Sequence, residues 1–198
     1  MANAQVRAEQ VVRIVKLICR NADRAMGLYE FINAGHAKAV VDSFEKGKGQ
    51  APVLVRSAML ESLVLGLNRM VERASTDRDT LEKVFALLDQ PGVFSEVASY
   101  GDASKLRAAT EEWGRLERAK VLPKLRHLRD HYMAHTISKK WGRKPNPEFG
   151  ETMKIARRVF KLVENLAAGC GADMASETAT RQVWRTLSRD FWKRVKRR

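Results

Sequence analysis

The residues best suited to chemistry lie in one short segment, residues 129–135, which reads Arg-Asp-His-Tyr-Met-Ala-His. Arginine offers a planar fork of N–H donors that matches a phosphate, and histidine gains and loses a proton near neutral pH. Cleavage of an RNA phosphodiester needs a proton acceptor for the ribose 2′-hydroxyl, a proton donor for the leaving 5′-oxygen and a cation at the phosphate. Arg129 and His135 are therefore the candidate catalytic pair.

The spacing of this pair limits how it can act. Both residues fall within one continuous helical pattern, and six residues turn an α-helix by about 240°. The side chains of Arg129 and His135 therefore diverge within one helix. They would converge if a second helix, such as that of a symmetry-related copy, closed the site.

Three histidines, His127, His131 and His135, recur four residues apart and so share nearly one face of the same helix. Two histidines at this spacing can bind zinc, but a third ligand would have to come from elsewhere. The acid that makes the zinc-protease helix catalytic is also missing between His131 and His135. We expect no metal or other cofactor and interpret the histidines as a solvated or packed stripe, with zinc binding as the minor alternative.

The bulk composition predicts one soluble, cytoplasmic domain that attracts polyanions. The chain has 198 residues, of which 44% are hydrophobic and 30% charged, and its formal net charge is +14. A surplus of positive charge of that size attracts polyanions over a long range, and both nucleic acid and an anionic membrane surface qualify as partners. The two cysteines suit a reducing compartment, and we expect neither a secretory signal nor a membrane span.

Helical periodicity dominates and predicts an all-α fold, an up-and-down bundle of four or five main helices with a basic C-terminal helix. We place the bundle at residues 1–170 and the basic amphipathic extension at 171–198. The first helix is predicted over 4–44 with a break near 33–35, and the second over 52–74. A short third helix is predicted to run to Leu88 with Asp79 as its N-cap, followed by irregular chain as far as Gly101.

The candidate catalytic pair is predicted to lie on a long helix that begins at Ser104. Pro123 should kink or restart this helix, because proline lacks an amide donor and crowds the preceding turn. Asn146 and Pro147 form a cap and first-turn pair for the next helix, which ends at 169–171. The inward residues of that helix are predicted to be Met153, Ala156, Phe160, Val163 and Ala167.

Two basic segments are candidates for holding RNA near the pair. The first follows His135 directly and contains Lys139, Lys140, Arg143 and Lys144. The second is the C-terminal helix, predicted from about residue 176, whose last residues include Arg194, Lys196 and Arg197. The helix also carries Val183, and its apolar stripe is predicted to consist of Trp184, Leu187, Phe191 and Val195, with Trp192 beside it. Such a stripe either packs on the bundle or faces an anionic surface.

The run over residues 128–136 resembles the signature of the HEPN superfamily, an arginine followed by a polar residue and then, after four to six intervening residues, a histidine. The helices around it and the apolar run at 57–69 are similar to the AbiU-like branch of that superfamily, which is associated with abortive infection. The resemblance extends over residues 5–168 and is most specific at 128–136.

The resemblance implies a homodimer whose facing motifs form one composite, metal-independent endoribonuclease site. Arg129 and His135 would be catalytic, and Asp130 would orient or polarise them. RNA would be the substrate, the setting would be antiviral defence or a toxin–antitoxin pair with an antitoxin protein as partner, and no membrane would be involved. Ile137 stands where related toxins often carry a tyrosine that accepts AMP, so we do not expect regulation by that route.

A second interpretation remains open. The chain could be a non-catalytic helical module that binds nucleic acid or a partner protein through its basic surface, with the motif serving dimer packing. Arg129 and Asp130 would then be a surface ion pair of small energetic consequence.

Overall fold

The structure is a computed structural model and describes residues 2–35, 51–72, 79–137, 149–172 and 177–196. Every secondary-structure element in these ranges is an α-helix, so the predicted all-α class is confirmed. In chain order the helices are α1 (Ala2–Gly35), α2 (Ala51–Val71), α3 (Leu81–Leu88), α4 (Val93–Ala98), α5 (Ala103–Arg118), α6 (Val121–Ile137), α7 (Phe149–Gly169) and α8 (Glu177–Lys196). The predicted continuation of the first helix to residue 44 and the start at Asn146 and Pro147 lie outside the described residues.

Helix α1 lies at the centre of the packing, because its apolar positions recur every three or four residues and point into the core. Val11, Ile14, Val15 and Ile18 are 0–1% exposed. Helices α2, α3, α4, α7 and α8 all pack on α1, whereas α6 packs on α2 and α5 packs on α7. Helix α2 therefore lies between α1 and the helix that carries the candidate catalytic pair.

Two helix starts differ from the prediction. Thr80, not Asp79, caps α3: its hydroxyl accepts a hydrogen bond from the Lys83 amide at 3.4 Å, while the Asp79 carboxylate binds the Lys83 ammonium at 3.3 Å. Asp102, not Ser104, caps α5, and its carboxylate accepts from the Ser104 amide at 2.8 Å. At α5, the Asp102 carboxylate is a stronger acceptor than the Ser104 hydroxyl for amides at the positive end of the helix.

Pro123 restarts the helix, as predicted. Helix α5 ends at Arg118, Lys120 adopts a left-handed conformation with φ 53°, and α6 begins at Val121. Pro123 then occupies the first turn of α6, where a missing amide donor leaves no helical hydrogen bond unmade. The chain between Leu88 and Gly101, expected to be irregular, contains the short helix α4. The predicted inward residues of α7 are all buried.

The C-terminal helix docks on α1 through Trp184 and Phe191 of the predicted stripe, whose rings contact Phe31, and through Trp192 beside them. Trp192 is 2% exposed and Ser188 is 1% exposed, whereas Val183 is 59% and Leu187 is 48% exposed. The Trp192 indole donates a hydrogen bond to the Phe31 carbonyl oxygen at 2.9 Å. The side chain of Val195 lies outside the described residues, and the predicted division of the chain at residue 170 stays a prediction.

Glycines on α1 explain the choice of face. A Cβ atom at Gly27 would lie 2.9 Å from Trp184, and one at Gly35 would lie 2.8 Å from Trp192. The two indole rings therefore occupy the space that side chains at these positions would fill. The Arg185 guanidinium also binds the buried carboxylate of Glu30 at 3.2 Å, so one arginine of the basic helix serves its docking.

None of the helices in the described part of the chain combines the length and the apolar character that crossing a bilayer requires.

Replacing Gly27 by alanine should destabilise the docked state of α8. The new methyl group would meet Trp184 at 2.9 Å, and overpacking of this kind costs about 1–3 kcal/mol, more than the ~1 kcal/mol that alanine adds to helix propensity. Urea unfolding and tryptophan emission measure the change. Gly66→Ala is the matched control, since its Cβ would meet Ala25 at an ordinary 3.6 Å and should stabilise the protein. A Gly27→Ala variant as stable as Gly66→Ala would contradict the docking.

Candidate functional site

Helix α6 carries both members of the candidate catalytic pair. It runs without interruption over Val121–Ile137, so the backbone of Arg129 and that of His135 belong to one helix. The side chains of residues 131–137 lie outside the described part of the chain. The structure therefore gives the side-chain geometry of Arg129 and Asp130, and the position of the His135 imidazole relative to them stays a prediction.

A buried asparagine fixes α6 against α2. The Asn68 amide group donates to the Leu125 carbonyl oxygen at 2.8 Å and to the Val64 carbonyl oxygen at 2.9 Å. Asn68 is 2% exposed, and Leu125 is fully buried beside it. Because a hydrogen bond to a buried carbonyl is strongly directional, this contact restricts sliding and rotation of α6 on α2.

A second contact between the same helices lies one turn further along and involves Arg129. The Nη1 atom of Arg129 donates to the Glu72 carboxylate at 2.9 Å, and Glu72 follows the last residue of α2. Glu72 is four residues after Asn68, and Arg129 is four residues after Leu125. Residues four apart on a helix share a face, so the two contacts form successive links across one α2–α6 interface.

The neighbouring carboxylate completes the arrangement around Arg129. The Asp130 carboxylate oxygen Oδ1 accepts from Nε of Arg129 at 2.9 Å and contacts Nη2 at 2.8 Å. The side chain of Arg129 is 27% exposed, that of Glu72 is 25% exposed and that of Asp130 is 64% exposed. The hydrogen bond to Asp130, with Glu72 nearby, raises the pKa of Arg129 above its usual value. The guanidinium is thus a permanently charged group held in one orientation.

This arrangement has a chemical consequence for anion binding. Glu72 and Asp130 together carry more negative charge than Arg129 carries positive charge, so a phosphate approaching this group meets no net attraction from these three residues alone. The contacts engage Nε and one hydrogen on each terminal nitrogen, which leaves a further N–H on Nη1 and on Nη2. A phosphate could use those donors if other cations attracted it to the site.

The positions of the predicted RNA-binding residues are described only in part. Lys139, Lys140, Arg143, Lys144 and Arg197 lie outside the described residues, as does the side chain of Lys196. Arg194 is exposed on α8. Because α8 packs on α1 whereas α6 packs on α2, Arg194 and Arg129 lie on helices with different neighbours.

The cysteines and histidines are the remaining candidates for catalysis or metal binding. Burial raises the pKa of the Cys19 thiol to about 11 and that of the Cys170 thiol to about 12, so neither is a thiolate nucleophile near neutral pH. Across the residues whose side chains are described, no three His, Cys, Asp or Glu residues are grouped as metal ligands. His127 is exposed, and the imidazoles of His131 and His135 lie outside that set.

Sequence reasoning missed Glu72 and Asn68. Asn68 was recognisable as one polar residue within the apolar run of α2, which is the usual sign of a buried polar contact between helices. Glu72 gave no such signal, because only the packing of α2 on α6 brings it to Arg129 from 57 residues away.

Comparison with known proteins gives no match, since no family model, no curated protein and no solved structure is similar to this chain.

Replacing Asn68 by alanine should lower the free energy of unfolding by about 1–3 kcal/mol, because it removes a donor from a buried carbonyl oxygen and opens a small cavity. Urea denaturation measures the change. Asn21→Ala, at an exposed position of α1, is the control and should change stability by less than about 0.5 kcal/mol. Equal effects of the two substitutions would show that Asn68 does not link α2 to α6.

Proposed function

We propose that the protein is a metal-independent endoribonuclease of the HEPN type, cleaving RNA at a composite site formed by Arg129 and His135 of two copies. The observation that carries the proposal is the state of Arg129. Its guanidinium is partly buried, permanently charged and oriented by two carboxylates, that of Asp130 on the same helix and that of Glu72 just after α2. The helix of Arg129 also carries His135. An oriented cation of this kind stabilises charge that develops on a phosphate without having to reorganise during the reaction.

The chemistry follows from the two residue types. One His135 imidazole accepts the proton of the ribose 2′-hydroxyl, and the 2′-oxygen attacks phosphorus. The bond between phosphorus and the 5′-oxygen breaks, and the imidazolium of the second copy donates a proton to that leaving oxygen. Arg129 binds the non-bridging oxygens as negative charge accumulates on them. The products are a 2′,3′-cyclic phosphate and a free 5′-hydroxyl.

Asp130 and Glu72 act on this reaction through Arg129. They hold the guanidinium plane in position, and the carboxylate of Asp130, which is the more exposed of the two, is the one that an arriving phosphate would displace. The negative charge of the pair disfavours anion binding until the RNA is drawn in by basic residues elsewhere. The site thus depends on a basic surface outside it, which agrees with the net charge of +14.

The biological setting of the proposal rests on the sequence resemblance alone. An AbiU-like ribonuclease would act in abortive infection, as a toxin restrained by an antitoxin protein. Ile137 in place of a tyrosine makes restraint through AMP transfer to that position unavailable.

A second candidate function is favoured by the same contacts of Arg129. The ion pair with Glu72 also joins α2 to α6, so the group can be purely structural in a helical module that binds polyanions without cleaving them. This candidate predicts salt-dependent RNA binding without product, and loss of that binding when the chain is truncated after about residue 175. The ribonuclease proposal predicts that the truncated protein still cleaves RNA, with weaker affinity.

Replacing His135 by alanine should slow RNA cleavage by about 10²- to 10⁴-fold, because it removes the positioned acid and base. Cleavage of a labelled RNA and detection of the cyclic phosphate measure the effect. His127→Ala is the matched control: this histidine is exposed on the same helix, two turns before His135, and its loss should leave the rate unchanged. A purified His135→Ala variant that cuts RNA as fast as wild type would contradict the assignment of His135 as a catalytic residue.

Chelation separates this mechanism from zinc chemistry at the histidine stripe. We expect EDTA to leave the cleavage rate unchanged, because protonation and the Arg129 cation supply the chemistry. Loss of activity on chelation, with recovery on addition of zinc, would instead assign catalysis to a metal held by His131 and His135.

A further inference from the structure

A row of exposed cations follows the outer face of α1. Lys16, Arg20 and Arg24 are exposed and four residues apart, so successive charges rise about 6 Å along the helix. Within the described part of the chain, no carboxylate lies within ion-pair distance of these three side chains. Arg13 extends the row and lies 4.0 Å from Asp79. We name Arg13, Lys16, Arg20 and Arg24 the cationic row.

Lys16, Arg20 and Arg24 differ in this respect from two other basic clusters of the bundle. In the groove between α5 and α7, Arg158 binds Glu112 at 2.7 Å and Arg115 binds Glu111 at 3.2 Å, so much of its charge is neutralised. On α8, Arg185 binds Glu30. In the cationic row, only Arg13 has a carboxylate within ion-pair distance among the described residues.

The packing of α8 defines which part of this face of α1 is covered and which part stays exposed. Gly27 and Gly35, on which the two indoles of α8 rest, lie on nearly the same face as the row, since Gly27 is three residues after Arg24 and Gly35 is eight residues after Gly27. One face of α1 is thus covered by α8 over its C-terminal half and open over its N-terminal half. Apolar contact with α8 covers the C-terminal half of this face, and positive charge occupies its N-terminal half.

An aromatic ring and a cavity lie at the open end of the row. A cavity of about 400 Å³ between α1 and the end of α7 is lined by Arg13, Lys16 and Tyr100, and Tyr100 is 40% exposed. Desolvation and a hydrogen bond to the Glu96 carboxylate raise the pKa of Tyr100, and the charge of Glu9, which also lines the cavity, adds to this effect. A carboxylate at this point disfavours a phosphate and tolerates a neutral base.

We infer that the cationic row and Tyr100 form a binding surface for single-stranded RNA, in which phosphates follow the row and one base stacks on the Tyr100 ring. Positive charge along the backbone combined with an exposed aromatic ring is the usual way in which proteins bind single strands without reading sequence. A duplex keeps its bases stacked internally and cannot use the ring. The inference rests on the proposed function only in taking RNA as the polyanion.

The apolar residues of α1 argue against a membrane as the occupant. A helix that lies in a bilayer interface inserts a continuous apolar face, and the apolar face of α1 is buried in the core. In the described part of α1, the exposed large apolar residues are Val6 and Leu17. Two separated side chains do not form an inserting face.

The row lies on α1 and Arg129 on α6, two helices that are joined through α2. Helix α2 packs on both α1 and α6 and so separates the two sites. RNA held on α1 would therefore be concentrated near the protein without occupying the donors of Arg129. This supplies the basic surface outside the site that the charge balance at Arg129 requires.

Binding of a fluorescein-labelled oligocytidine to the full-length His135→Ala protein tests the inference, because that background prevents cleavage under the proposed function. Lys16→Gln, Arg20→Gln and Arg24→Gln combined should weaken binding about tenfold and reduce the slope of log K against log salt by about 2. The control combines Lys105→Gln, Arg107→Gln and Arg118→Gln, which removes the same charge from exposed, scattered positions of α5 and should change little. Equal losses in both variants, or no loss in the first, would overturn the assignment.

Substitution of the ring tests the single-strand preference. Tyr100→Ala should weaken binding of the oligocytidine severalfold and leave binding of an RNA duplex unchanged, because only a single strand has a base free to stack. Tyr100→Phe keeps the ring and should bind as wild type. If the Tyr100→Ala variant binds the oligocytidine as tightly as wild type, the stacking assignment is overturned.

The outcome can be separated from that of the proposed ribonuclease. Cleavage is measured with the wild-type histidine in place, where the variant of the cationic row should raise KM. If the protein binds the oligocytidine through the row but no preparation cleaves RNA, the ribonuclease proposal fails and this inference stands. If cleavage depends on His135 while the row variant binds and cleaves as wild type, the inference fails and the ribonuclease stands.

Discussion

Helix α1 is buried along one side for most of its length, and five other helices remove their apolar faces from water by packing on it. Each fully buried Val, Ile or Leu on such a face contributes about 1.5–3 kcal/mol. The helices that do not touch α1 closely, α5 and α6, are held by those that do. The position of α6, and with it that of Arg129, is therefore set through α2 by a core to which Arg129 does not belong.

The α2–α6 interface combines a neutral contact with a charged one. Asn68 binds a buried carbonyl, where a hydrogen bond is strong because water does not compete. One turn away, the ion pair of Glu72 and Arg129 is about a quarter exposed, so solvent weakens it. The first contact fixes the helices, and the second orients a side chain that remains accessible. That division suits a site in which a rigid backbone presents a cation to a ligand.

Charge is distributed unevenly over the described surface, and the distribution separates attraction of RNA from contact with the scissile bond. Arg129 is neutralised by its own neighbours, whereas the cationic row of α1 is not. In the proposed enzyme, α1 concentrates the polyanion and α6 acts on one phosphate. Because the surplus positive charge is away from Arg129, binding should be strongly salt-dependent, while the ion pairs at the partly buried guanidinium are less screened.

The sequence by itself determined the helical class, most helix boundaries, the restart at Pro123 and the inward face of α7, because these depend on spacing and on backbone chemistry within a few residues. The sequence also identified residues 129–135 as the segment whose residue types are best suited to catalysis. Tertiary structure alone decided that Trp192 is buried against α1 while Leu187 of the predicted stripe stays exposed, since this choice depends on space beside glycines of a distant helix. It likewise decided that Glu72 reaches Arg129 and that half of one face of α1 stays bare. Contacts between residues far apart in the chain leave no periodic signal in either segment, and so they became visible only when the helices were packed together.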